Sequence, residues 1–318
     1  MATSMATSAE SWAVVPMSDP AFWELFARAG NSGSWRLATP PGIADNGGLV
    51  ASAGEAGSLT VAVRPSQDLV FSPLAATANG GASWSTGGPI DAAVAASPDS
   101  FAADGGRLAA LLSDGTIETS SDAGTTWSAI AKPGAIAASP AAKGCGGAVR
   151  VTALSFGIIN TEVLAGGTCG TSGTTAVFSY SPGRGWQRVG LPVSGPLVRL
   201  TSGMALVRGK AGLTALWRGS GASVAASPSG PSRPAPTGWT ESAPLAGAGV
   251  ITSGTLGSGG AWVLLAGGAA ATVSAPGPAA GQAPRWRRLP PVPSRTSVLA
   301  SGPGGATDAL AVSGDTLT

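Results

Sequence analysis

Histidine is absent from all 318 residues. Without it the chain loses the commonest general base, the Ser-His and Cys-His nucleophile pairs, and every His-containing metal site. Charge is scarce as well: 18 Lys and Arg against 16 Asp and Glu make up 11% of the chain and leave a formal net charge of +2. That balance excludes a solvated disordered chain or a charged coiled coil, and it implies no nucleic-acid partner. No apolar stretch reaches the roughly 20 residues of a spanning helix. The longest, 261–273, contains two glycines. The opening MATSMATSAE has neither a basic region nor an apolar segment, so no targeting signal or membrane span is expected. Two cysteines without histidine fill only half of a structural zinc site, and neither metal nor cofactor is expected.

What is abundant is glycine (49), proline (25) and small side chains. Six tryptophans, Trp35, Trp84, Trp127, Trp186, Trp239 and Trp286, are each followed within a few residues by proline, at separations of 49, 43, 59, 53 and 47 residues. A period near 50 with short β-like runs inside it (59–63, 107–113, 148–156, 176–180, 204–208, 261–267), bounded by Gly, Pro, Ser or Asp, fits a four-stranded propeller blade. The expected fold is an all-β propeller occupying 31–318, with six blades and seven as the alternative. Its last blade would be a composite, inner strands coming from 307–318 and the closing strand from the segment at Trp35. One helix is expected, at 19–30 (DPAFWELFARAG), where Asp19 caps, Pro20 suits the first position and Gly30 ends the run. It would make 1–30 an extension packed on the propeller. The low-complexity stretch 219–238 reads as a loop within a blade.

Cys145 and Cys169 stand at the outer ends of two β-like runs, 148–156 and 162–167. Paired antiparallel, these runs would bring the sulfurs together and imply an oxidising compartment, two separate thiols being the alternative.

Ser120, Asp122, Gly124, Thr126 and Trp127 match S-x-D-x-G-x-T-W at every specified place, and Thr77, Asn79, Gly81, Ser83 and Trp84 repeat the spacing with Asn for Asp. A short Asp or Asn side chain accepts from backbone N–H groups across a tight turn, and Gly supplies positive φ. The pattern resembles the Asp-box, or BNR repeat, of sialidases, sortilin-type receptors, photosystem II assembly factors and several glycosidase propellers. The resemblance implies a structural hairpin between the third and fourth strands of a blade, with the indole packed between blades. Later copies decay: the one ending in Trp186 keeps Ser179, Ser181 and Gly183 but loses the acid, and those before Trp239 and Trp286 keep little beyond the ring.

A sialidase needs a tyrosine nucleophile, and the sole tyrosine, Tyr180, lies in a degenerate copy of the box. A two-carboxylate glycosidase could draw on Asp45, Asp91, Asp99, Asp104 or Asp308, though Asp beside Gly or Pro is usually a turn residue. The Arg285-Trp286-Arg287-Arg288 cluster reads as an outer strand with its ring turned inward. The expectation is a monomeric, non-catalytic propeller of bacterial origin, secreted or surface-held, that recognises a protein or a glycan. A glycoside hydrolase is the first alternative. The second is an assembly factor resembling the photosystem II type, which would require an Arg-rich face, with Arg199, Arg208 and Arg218 as candidates.

Overall fold

Four- to eight-residue runs of Val, Leu, Ala and Thr between glycine-rich turns are too short for stable helices, and they pair edge to edge instead. A computed structural model describes residues 2–6, 10–16, 23–30, 33–40, 49–53, 58–63, 74–87, 94, 100–157, 161–171, 173–218, 238–257, 260–276, 283–290, 292, 296–301, 307–313 and 316–317. The first blade holds β1 (Ala2–Ala6), β2 (Glu10–Pro16), β3 (Trp23–Ala29) and β4 (Arg36–Leu37). The second holds β5 (Leu49–Ala53), β6 (Leu59–Val63), β7 (Leu74–Thr77) and β8 (Ser85–Thr86). The third is β9 (Phe101–Asp104), β10 (Arg107–Leu111), β11 (Ile117–Ser120) and β12 (Ser128–Ala131). A helical turn α1 (Ala135–Ala138) and a 3-10 turn (Pro140–Ala142) lead into the fourth blade: β13 (Val149–Phe156), β14 (Val163–Cys169), β15 (Thr174–Ser181) and β16 (Gly185–Val189). The fifth is β17 (Leu197–Leu200), β18 (Met204–Gly209), β19 (Gly212–Arg218) and β20 (Trp239–Glu241). The sixth is β21 (Ile251–Gly257), β22 (Gly260–Leu265), β23 (Ala270–Ser274) and β24 (Arg287–Arg288). A three-stranded sheet, β25 (Thr296–Ser301), β26 (Thr307–Ser313) and β27 (Thr316–Leu317), follows.

The fold is thus an all-β propeller of six four-stranded antiparallel blades. First strands meet around the centre: β1 touches β5, β5 touches β9, β9 touches β13, and β13 touches β17. The ring closes where β1 runs parallel to β21, with Ala2 opposite Ser253 and Thr3 opposite Gly254. The C-terminal sheet lies over this seam, β25 contacting both β1 and β21. Among the described residues no helix is long and apolar enough to cross a membrane.

Two expectations are corrected. Residues 23–29 form a strand, not part of a helix at 19–30. Seven residue pairs, from Glu10 opposite Ala29 to Pro16 opposite Trp23, tie β3 to β2. Trp23, Leu25 and Ala27, two apart, then share one face in the core. Pairing on both sides and burial of that face override a local helix signal, because propensity is a weak term against tertiary packing. Residues 19–22 lie outside the described residues. Second, the blade containing Trp35 is not a composite: β4 pairs with β3, so 2–37 supply a whole blade and the expected extension carries three of its strands. The N-terminal segment still meets the last four-stranded blade, through β1. Of the loop expected at 219–238, residues 219–237 also lie outside the described residues, between β19 and β20 of blade five.

Each of the six tryptophans stands at the start of the outermost strand of its blade. Five of them pack against residues of the preceding blade. Trp84 packs with Trp12 and Leu25 of blade one, Trp127 with Leu74 of blade two and Trp186 with Ile117 of blade three. Trp239 packs with Leu164 of blade four, and Trp286 with Leu213 of blade five. Trp186 and Trp239 are buried, and truncating a buried ring typically costs about 3–5 kcal/mol.

Candidate functional site

The turns between third and fourth strands are built from the two matching octets. In blade three the Ser120 hydroxyl donates to Asp122 Oδ1 (2.7 Å) and accepts from the Gly124 amide (2.8 Å). Asp122 accepts from the Thr126 amide (2.9 Å) and hydroxyl (2.6 Å). The Trp127 indole N–H closes the turn on the Gly124 carbonyl (3.1 Å). Blade two repeats the scheme: Thr77 Oγ1 donates to Asn79 Oδ1 (2.9 Å) and accepts from Gly81 N (2.9 Å), while Asn79 accepts from Ser83 N (2.9 Å) and donates to Ser83 Oγ (2.8 Å). Bonds from the Thr126 hydroxyl and amide, and from the Ser120 hydroxyl, lower the Asp122 pKa to about 2. Gly124 has φ +88°. A Cβ there would stand 3.1 Å from Leu108 and 3.2 Å from Leu74 of the preceding blade, so only glycine fits comfortably.

Several other polar groups hold blades together. Arg218, ending β19, makes a bidentate pair with Glu162 ahead of β14 at 2.9 and 3.0 Å, with both side chains buried. Arg199 reaches from β17 to the Gly254 carbonyl on β21 (2.8 Å). Arg208 donates to the Ala248 carbonyl (2.5 Å). The three arginines considered for an Arg-rich face are therefore engaged within the ring. Glu10 in blade one is buried enough for its pKa to rise, against the pull of Arg36, which itself donates to the Gly80 carbonyl of blade two.

Of the carboxylates considered for catalysis, Asp45, Asp91 and Asp99 lie outside the described residues. Asp104 is exposed and pairs with Arg107 across the β9–β10 hairpin at 3.3 Å. Asp308 falls on β26. Tyr180 stacks obliquely on Trp186, ring centres 5.3 Å apart, in the core between blades three and four. Arg287 and Arg288 form the exposed outer strand β24, while Trp286 packs inward. Cys145 and Cys169 are disulfide-bonded, with Val149 opposite Cys169 across the β13–β14 pair.

One feature was not anticipated. Outside blade four a groove of about 630 Å³ runs between β16 and the segment 139–143, lined by Ser139, Pro140, Lys143, Arg184, Trp186 and Arg188 among others. Lys143, Arg184 and Arg188 are exposed, and no acidic residue lines it. Arg188 bridges the walls by donating to the Lys143 carbonyl (3.2 Å). The available signal was local charge. Between 132 and 188 stand Lys132, Lys143, Arg150, Arg184 and Arg188 against a single acid, Glu162, in a chain that is otherwise close to neutral.

No protein-family model matches this chain, and no curated protein matches it significantly. Solved structures do resemble it. YCF48 from Cyanidioschyzon merolae is similar with a TM-score of 0.53 and 13% identity, over 91% of this chain and 84% of that one. A structure of YCF48 bound to D1 peptide is similar with a TM-score of 0.50 and 16% identity, over 88% and 79% of the two chains. A GH74 xyloglucanase from Xanthomonas campestris reaches 0.43 at 12% identity, over 89% of this chain and 53% of that one. Likeness at such identities is one of fold, and the class it defines is the β-propeller.

Proposed function

We propose that this chain is a non-catalytic propeller of the Asp-box type, exported to an oxidising compartment, that recognises a protein or a glycan. The observation that carries this reading is that four carboxylates among the described residues are committed to the fold. Asp122 is spent on its turn, Glu162 on Arg218, Asp104 on Arg107, and Asp114 on Thr116 in a neighbouring turn (2.8 and 2.9 Å). Groups tied in this way are poor candidates for moving protons on a substrate. The matching bonds in the turns of blades two and three support the Asp-box reading, and the disulfide supports export. Recognition also agrees with the fold's use in YCF48, one structure of which holds a peptide.

The test pairs turnover with binding. Purified protein is expected to leave a panel of aryl glycosides unhydrolysed while retaining ligands from peptide and glycan arrays. Hydrolysis that co-purifies with the folded chain would overturn the reading in favour of the glycoside hydrolase alternative.

A further inference from the structure

We infer that the groove outside blade four docks an extended, acidic segment of a partner protein, which adds as a further strand to the edge of β16. The inference rests on the recognition role proposed above and names the ligand class for it.

Three observations converge. The first is the strand: β16 is the outermost of its sheet, paired on one side only, by β15. At five residues it is longer than the outer strands of the other blades, which have two, two, four, three and two. An unpaired edge of that length offers a row of backbone donors and acceptors to an incoming strand.

The second is the opposite wall. The segment ending in the 3-10 turn is anchored where Cys145 donates its amide to the Ala142 carbonyl and bonds its sulfur to Cys169 of β14. A wall held covalently stays in place at little entropic cost to binding, and an incoming strand would take over the donor that Arg188 now gives to the Lys143 carbonyl across the groove.

The third is charge. Lys143, Arg184 and Arg188 surround the groove, and the nearest acid in sequence, Glu162, is buried and neutralised by Arg218. Cations on a strand edge repel a second copy of the same edge and attract a strand of opposite sign. The occupant that fits is therefore an acidic partner segment, not another copy of this chain.

The test is fluorescence polarisation on the full-length, disulfide-intact protein. The probes are a labelled peptide of alternating Glu and Val, the same peptide with Gln for Glu, the Glu peptide N-methylated at alternate residues, and a heparin-derived hexasaccharide. The Glu peptide is expected to bind with an affinity that falls as salt is raised, and the Gln and N-methylated peptides to bind at least about tenfold more weakly. K143E/R184E, which changes two exposed side chains, should weaken the Glu peptide about tenfold or more, and R188E should do so independently. Unchanged binding by both variants, or full retention of the N-methylated peptide, would sink the groove assignment. Binding of the hexasaccharide alone would also sink it, yet would leave the recognition reading standing. If no probe binds and the arrays are also blank, both fail together.

Discussion

At the scale of single residues, Asp122 and Asn79 solve one problem with different chemistry. Each side chain gathers the amide and hydroxyl two strands' ends must share, but only Asp122 titrates. Its folded value of about 2 lies below the roughly 3.9 of an unfolded aspartate, so its contribution to stability is complete above about pH 4, fades as the pH falls and is gone below about 2. Asp122→Asn should therefore fold, as the Asn79 turn does, and thermal melts from pH 2 to 5 should show a flatter pH dependence than the parent. A parent and variant that lose stability in parallel over that window would contradict the assignment. These turns were legible in the sequence because every bond in them is local: the partners of Asp122 are Ser120 and Thr126, two and four residues away. Lys143, Arg184 and Arg188 were not legible as a site, since 45 residues separate the two ends of the Arg188 bridge.

At the scale of elements, the recurring indole marked the outer strand of all six blades, because a large ring between adjacent sheets needs the same place in each repeat. The strand β3 was misread for the opposite reason. Its local signals, a capping Asp followed by Pro and a closing Gly, favour a helix, and only β2 and β4 on either side make a strand the better solution. Contacts between blades also include an ion pair, Arg218 with Glu162. Glu162→Gln leaves the buried guanidinium without its counter-charge, and urea unfolding should show a loss of about 3 kcal/mol or more. The apolar double variant E162L/R218M should recover most of that loss, because removing both charges also removes the cost of desolvating them. A single variant as stable as the parent would show that the pair contributes nothing between blades four and five.

At the scale of the whole molecule, the ring depends on a seam. Propeller closure removes free sheet edges, and here it is made by β1 lying parallel to β21 under the C-terminal sheet. Deleting residues 1–9 should expose the inner edge of blade six and leave a species that is more readily cut by protease and associates in size-exclusion chromatography. A deletion variant as monodisperse and protease-resistant as the parent would mean that the seam is dispensable. The sequence by itself determined the strand content and the position of each outer strand, and it favoured six blades over seven and a cysteine pair over two separate thiols. All of these follow from periodicity and from residues close together along the chain. Only the tertiary structure decided that the first 37 residues form a blade of their own, which arginines are consumed as ties between blades, and that a basic groove remains open beside β16. Those outcomes depend on contacts between distant segments, whose energies no local pattern encodes.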